Sequence, residues 1–288
     1  MKLKLALTGI LVAACALVQA AQMPKEINIA YVKSPFNLQN MVMKDQARLE
    51  KAFEKYGTAI HWHTIDSGAK QAQAMAAGSL DFSAVMNTAS LLSTNGAGNP
   101  VLIANGVAHP TDNFALVGKP GAKLTVKEGM SINDVEFLSM DLPAAQSALL
   151  SGNVDAALQA ASGVIKAEEA GCKVITTAKG LVNVNLVMTV RKAFADQYPD
   201  AVKEVVRVQR ETLQWINENQ KAAIELGAKE HGISYRDAET LAQWSNFYDV
   251  VTEEDIKGLD VDQKFLIEND LMQKAVDVNA LVLPVARQ

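Results

Sequence analysis

The sequence predicts an α/β fold of two lobes, with largely parallel sheets and a helical C-terminal tail. Three observations predict it. Segments rich in β-branched and apolar residues alternate with amphipathic helical segments from Ile27 to Val190. A Gly-X-apolar-Asp turn from helix into strand occurs twice, 74 positions apart. Beyond Val190 almost every segment has helical periodicity.

The elements justify this in order. Ile27–Val32 is β-rich and partly alternating, a first strand. Ser34-Pro35-Phe36-Asn37 is a turn ending in a residue that caps helices well. Over Leu38–Tyr56, Met41, Ala47, Leu49, Ala52, Phe53 and Tyr56 share one helical face, while Lys44, Arg48, Glu50, Lys51 and Lys55 stay wet. Ala59–Ile65 reads as a strand, Asp66-Ser67-Gly68 as a turn and Ala69–Ala77 as a helix. Leu80–Val85, Thr88–Asn95 and Val101–Val107 continue the alternation as strand, helix and strand. Asn113–Gly118 and Val184–Val190 are strand-like links between the lobes, with a helix near residues 160–170 and a strand at Lys173–Thr177 between them. Asp200–Lys229, Ser234–Phe247 and Thr252–Asn269 are helical. Ser234 with Asp237, and Thr252 with Asp255, have capping-box spacing.

In the repeat, Met75-Ala-Ala-Gly78-Ser-Leu-Asp81 returns as Leu149-Leu-Ser-Gly152-Asn-Val-Asp155. Glycine closes each helix because it tolerates a left-handed backbone, and the Asp is expected to tie down the turn. The pattern predicts lobe one from residues 21–118 and 186–288, and lobe two from 119–185. Lobe two is then close to the smallest size that supports an independent core.

The chain has 288 residues, 49% hydrophobic and 20% charged, which excludes wholesale disorder. Its formal charge of −5 with no Lys/Arg cluster excludes the electrostatic footprint of a nucleic-acid binder. Residues 1–20 read as a secretory signal: Lys2 and Lys4, the apolar run Leu5–Val18, then Val18-Gln19-Ala20 with cleavage before Ala21. Val12-Ala13-Ala14-Cys15 also resembles a lipobox, which would leave a lipid anchor on Cys15. Either route exports the protein. After cleavage at Ala20 only Cys172 remains, and its strand context predicts a buried, unreactive thiol.

Together these features resemble a periplasmic substrate-binding protein of an ABC importer, of the nitrate/sulfonate/taurine type. The residues that carry the resemblance are Ile27–Val32 with its turn, Ala76–Phe82, Leu149–Asp155, Val190–Phe194, Tyr198–Val202 and Asn246–Asp249 with Thr252–Ile256. The resemblance implies a two-lobed periplasmic-binding-protein-like fold, a periplasmic location, and a permease with its ATPase as partners. Two departures stand out. The family enters its second lobe through a strand, a Gly-Thr or Gly-Ser loop and a helix, whereas here Lys119–Met130 runs directly into Ser131–Phe137. The Trp-Asp-Pro-like sequence of many sulfonate and taurine binders is missing after Asp155.

In sheets of this kind, ligands bind beyond the carboxyl ends of the strands, where loops meet helix N-termini. That places candidate ligand contacts at Ser34, Phe36 and Asn37, at Ser67 and Gly68, and at Asn87 and Thr88. Asp112 and Asn113 lie at the first link, and Gln159 corresponds to Val85 across the repeat. Helix capping competes with ligand binding for each polar residue, and a hydrophobic staple competes for Phe36. His61-Trp62-His63 would put both imidazoles on one strand face, but the sequence offers no third metal ligand near them. No nucleophile elbow, phosphate loop or paired-Cys metal motif occurs. The expectation is a monomeric, non-enzymatic protein without cofactor that captures a small anionic or zwitterionic solute between its lobes. The alternatives are a pyrimidine-precursor binder, an enzyme of the same fold, or a ligand sensor for a membrane receptor.

Overall fold

The computed structural model describes residues 22–123, 134–181 and 183–288. The expected signal, the lipobox at Cys15 and most of the segment between Lys119 and Phe137 lie outside the described residues.

Lobe one is a five-stranded sheet of order β2-β1-β3-β8-β4, built from β1 (Glu26–Tyr31), β2 (Ala59–Thr64), β3 (Phe82–Asn87), β4 (Val101–Ala108) and β8 (Leu186–Arg191). Lobe two is a three-stranded sheet of order β6-β5-β7, from β5 (Phe114–Gly118), β6 (Ala156–Ala160) and β7 (Lys173–Thr177). β1 pairs in parallel with β2 and β3, while β8 is antiparallel to both β3 and β4. In lobe two, β5 is antiparallel to β6 and β7. The parallel strands were legible; the inversion was not. In each sheet the strand next to a crossing, β5 outbound and β8 on return, is inserted against its neighbours.

The repeat is visible in three dimensions. Helix α3 (Gly68–Ala76) ends at Gly78, φ 75°, and α5 (Leu142–Leu150) ends at Gly152, φ 76°. The next amide closes each helix, Ser79 N on Ala74 O at 3.0 Å and Asn153 N on Ala148 O at 2.9 Å. Each Asp then ties its strand to the antiparallel neighbour. Asp81 pairs with Arg191 at 2.8 Å and also accepts from the Asn28 amide at 3.0 Å. Asp155 pairs with Lys119 at 2.7 Å. The backbone bonds match as well: Arg191 N to Asp81 O and Lys119 N to Asp155 O, both 2.9 Å.

Two predicted helices are each broken in two. Leu38–Tyr56 divides into α1 (Leu38–Asp45) and α2 (Arg48–Glu54) at Ala47, whose φ is 49°. Alanine is a good helix former, so nothing local announces this break. Asp200–Lys229 divides into α8 (Pro199–Glu218) and α9 (Gln220–His231) at Asn219. The Asn219 side chain bonds back to Trp215 O at 2.9 Å, offering the backbone an alternative to the helix. α4 (Thr88–Gly96), α6 (Ser162–Glu169), α7 (Lys192–Gln197), α10 (Tyr235–Ser245) and α11 (Glu253–Glu268) complete the chain. Thr252 and Asp255 form a reciprocal capping box on α11. Ser234 accepts from the Asp237 amide at 3.1 Å.

The cores are unequal. Lobe one packs Ile27, Ile29, Leu49, Phe53, Phe82, Met86, Leu91 and many others around its sheet. Lobe two has Ala115, Val117, Ala145, Leu149, Ala157, Ala167 and Cys172. Five of these seven are Ala or Cys, so Leu149 and Val117 carry most of its apolar burial. Cys172 is buried and free, and burial pushes its thiol up.

Candidate functional site: the seam between the lobes

The β1–α1 loop is fastened by two amides. Asn37 Nδ2 donates to Val32 O at 2.9 Å and Ser34 O at 2.8 Å, and Asn40 Nδ2 donates to Val32 O at 2.8 Å. Asn37 occupies the N-cap position of α1, but its side chain does not cap the helix. Phe36 is a core residue. Its ring meets His231 at 5.2 Å between centroids and seats on Gly227, where a Cβ would come 2.5 Å from Phe36 Cζ. Phe36 is thus packed against α9.

The next two loops stand side by side. Ser67 caps α3 by accepting from Lys70 N at 3.4 Å, and Asn87 caps α4 by accepting from Ser90 N at 2.8 Å. Gly68 lets the two helix mouths meet, since a Cβ there would come 2.5 Å from Ser90 Oγ and 2.9 Å from Asn87 Nδ2. Thr88 turns away from them. Its hydroxyl donates to Asp262 Oδ2 on α11 at 2.8 Å. Burial pushes the Asp262 carboxyl up, and the Thr88 bond partly offsets this.

Across from these loops, β6 ends at Gln159 and Ala160 and turns into α6. Ala161 makes the turn at φ 47° and ψ −121°, a conformation that L residues rarely adopt. Its amide is held by Asn113 O at 2.7 Å. Gln159 lies against the first turn of α6, with Oε1 2.8 Å from where a Gly163 Cβ would stand. Ser162 Oγ meets His231 Nδ1 at 2.7 Å, and Lys166 Nζ donates to His231 O at 2.6 Å. Ala161 belongs to the same apolar cluster as Tyr31, Phe36, Leu38 and Met41 of lobe one, with Ile165 against it. The lobes are therefore joined through His231, and on another flank by Lys70 and Asp141 at 3.5 Å.

The crossings are braced. Thr111 Oγ1 accepts from Val184 N at 3.0 Å, which ties one link to the other. Asn113 Nδ2 donates to Ser245 Oγ on α10 at 3.1 Å. His109 stacks on Tyr248 at 4.1 Å and faces Asp255 at 3.4 Å; burial holds its imidazole below the usual range, against the pull of Asp255 and Glu254. Asp112 is half-exposed and pairs with Lys179 at 3.7 Å.

His231 is buried, and burial lowers its imidazole to about 4. The Lys33 backbone and the Glu230 carboxylate oppose the shift, while the Lys166 and Lys33 cations assist it. The ring is neutral at pH 7, and its Ser162 contact is a neutral hydrogen bond.

The structure places Ser34, Phe36 and Asn37 in the β1–α1 loop, and Asn113 and Gln159 beside the Ala161 turn that shares an apolar cluster with Phe36. It groups Ser67, Gly68 and Asn87 at a second point beside Lys70, and it leaves Thr88 and Asp112 engaged elsewhere. Sequence reasoning missed His231, Ser162, Lys70 and Asp141. A signal existed for Asp141: it stands before Leu142-Pro143, and its side chain caps α5 by accepting from Ala144 N at 3.0 Å. His231 had none, because its partner lies 69 residues away. His61 and His63 stay exposed on edge strand β2, facing Glu26 at 3.6 Å and Asn28 at 2.8 Å. Among the described residues no group of three or more His, Cys, Asp or Glu is placed to hold a metal. No helix among them is long and apolar enough to cross a membrane.

Residues 119–223 match the family described as NMT1/THI5 like. A candidate aliphatic sulfonates-binding protein of Bacillus subtilis (strain 168) is 24% identical over 286 residues, covering 90% of this chain and 86% of that protein. The alkanesulfonate-binding protein SsuA of Xanthomonas axonopodis pv. citri, solved bound to MOPS, superposes with a TM-score of 0.81 at 17% identity. That match covers 91% of this chain and 99% of SsuA. The periplasmic aliphatic sulphonate binding protein SsuA of Escherichia coli gives a TM-score of 0.73 at 16% identity, covering 92% and 94%. The chain resembles sulfonate-type solute-binding proteins and has the periplasmic-binding-protein fold.

Proposed function

We propose that this chain is an exported solute-binding protein that captures a small anionic or zwitterionic solute between its lobes and delivers it to an ABC permease with its ATPase. One observation carries the reading: the two lobes meet face to face, with Ser162 of lobe two against His231 of lobe one and Ala161 in one apolar cluster with Tyr31, Phe36, Leu38 and Met41. Asn37 Oδ1, Asn113 Oδ1 and Gln159 Nε2 are buried without a hydrogen-bond partner. Residues 119–185 act as the smaller jaw, and the paired crossings act as the hinge. The 24% identical relative and the SsuA structures support this reading.

Binding rather than turnover is the chemistry. Ser162 and His231 touch, but Ala161 occupies the sharp strand-to-helix turn that would project a nucleophile. The protein works in the periplasm as a monomer. Scanning fluorimetry of the mature chain with taurine, alkanesulfonates, nitrate, bicarbonate and pyrimidines tests the reading. At least one solute raises Tm and is recovered unchanged. No shift with any of them, or consumption of the stabilising solute, would refute it.

A further inference from the structure

Lobe one carries a groove of about 700 Å³ between α8, the segment 247–249 that follows α10, and Val285. That volume falls in the range of small-molecule sites. No residue of lobe two lines it, and no residue of the seam does. Val206, Leu213, Phe247, Tyr248 and Val285 give it apolar walls. The Tyr248 ring is held firmly there: it stacks on His109 at 4.1 Å, its hydroxyl donates to Asn185 Oδ1 at 2.6 Å, and Gly106 sets no Cβ against its edge.

Arg210 lies in this groove as a half-buried cation without a counter-ion. A guanidinium has five N–H donors. Nε donates to Asn105 Oδ1 at 3.1 Å, and Nη2 donates to Asp249 O at 3.2 Å and to Val285 O at 2.8 Å. All three acceptors are neutral, and the two Nη1 protons have no partner among the described residues. The other lining arginine, Arg207, is paired with Glu204 at 2.9 Å and with Glu211, and Lys203 is paired with Asp200 at 3.1 Å. Arg210 has no ion pair among the described residues. Asn105, 0% exposed, is committed to holding it. Turning that amide over would set Nδ2 against the Arg210 N–H, so Oδ1 stays on Arg210 and Nδ2 stays buried and unpaired. The fold forgoes a hydrogen bond to fix the guanidinium with one end free.

We propose that this groove is a binding site, on lobe one alone, for a monocarboxylate with an apolar body. The carboxylate accepts the Nη1 protons and supplies the counter-charge that Arg210 lacks, a charge-assisted contact stronger than a neutral one. The hydrocarbon lies along the Tyr248 and Leu213 wall and leaves water. Glu211 and Asp249 also line the groove, so a second negative charge on the ligand would be repelled. Lobe one supplies every contact, so occupancy does not require the lobes to close. The site therefore stands or falls separately from solute capture between the lobes.

Amide NMR titration of the mature protein with hexanoate and with 1-hexanol tests this. Hexanoate should give saturable shifts centred on Val206–Asn217 of α8 and on Phe247–Asp249, and should bind about tenfold tighter than hexanol, which has the same chain without the charge. Arg210→Gln should bring the two affinities together by weakening hexanoate alone. If Arg210→Gln fails to fold, Lys203→Glu at the exposed edge of the groove gives the same readout, a weaker hexanoate and an unchanged hexanol. Hexanol binding as tightly as hexanoate overturns the proposal. So do hexanoate shifts centred on the seam residues Ser34, Asn113 and Gln159, hexanoate affinity unchanged in the folded variant, or no saturable shift at all.

Discussion

His231 should make the stability of the joined lobes depend on acid. Unfolded, its imidazole titrates near 6.5; in the native seam it titrates at about 4, because protonation would place a cation in a buried site beside Lys166 and Lys33. A histidine whose native pKa is depressed contributes stability above its unfolded pKa. That contribution is lost as pH falls from 6.5 towards 4. The difference corresponds to about 3 kcal/mol. The groups facing the ring are Ser162 and Lys166 of α6, Lys33 before the β1–α1 turn, Phe36 and Glu230. His231→Asn isolates the effect, since the Asn carboxamide can accept from or donate to Ser162 but does not titrate. Urea denaturation of both proteins from pH 7.5 to 4.0 is the assay. Carboxylates that destabilise both proteins in acid cancel in the difference. Wild type should lose about 3 kcal/mol relative to His231→Asn as pH falls through this window. Parallel profiles, or a wild type that gains on the variant in acid, would refute the reasoning.

Further outcomes follow from other contacts. Leu149→Ala removes the largest side chain of the small lobe-two core and should cost about 2–4 kcal/mol by chemical denaturation, with tryptophan fluorescence of lobe one changing little before global unfolding. Thr88→Val leaves the half-buried Asp262 carboxyl without its donor and should cost about 1 kcal/mol, measured as a lower urea midpoint. Lys70→Met breaks the pair with Asp141, but Lys70 is 68% exposed, so stability should fall by less than about 1 kcal/mol and the loss should vanish in high salt. Ala161→Val should destabilise strongly, because a β-branched residue fits a φ of 47° worse than Ala does, whereas Ala161→Gly should leave the melting temperature unchanged or raised.

Much of the fold was readable because its signals are local. The Gly78 and Gly152 turns, the capping pair Thr252 and Asp255, and the alternation of strand and helix each depend on residues within a few positions of one another. The helix break at Ala47 was unreadable, since the residue's own preference points the other way and tertiary packing decides it. The antiparallel insertion of β5 and β8 was also hidden, because periodicity reports which face of a strand is buried but not its direction. Of the proposed contacts, Asn37 was picked out by its loop at a strand end, Asn113 by its place at the first link and Gln159 by the repeat. Thr88 met the same criterion, yet its hydroxyl is bound to Asp262, 174 residues away. His231 is the reverse case, an inward-facing residue of an ordinary amphipathic helix that becomes the contact between the lobes only when α6 arrives.

The central claim is that a solute draws the lobes together across the Ser162–His231 seam. Paired spin labels at Glu54 on lobe one and Lys173 on lobe two, both exposed, measure this directly by pulsed dipolar spectroscopy. The account predicts a broad distance distribution in the solute-free protein that narrows onto the joined-lobe distance when a stabilising solute saturates it. A distribution that stays unchanged while calorimetry shows the same solute fully bound would contradict it.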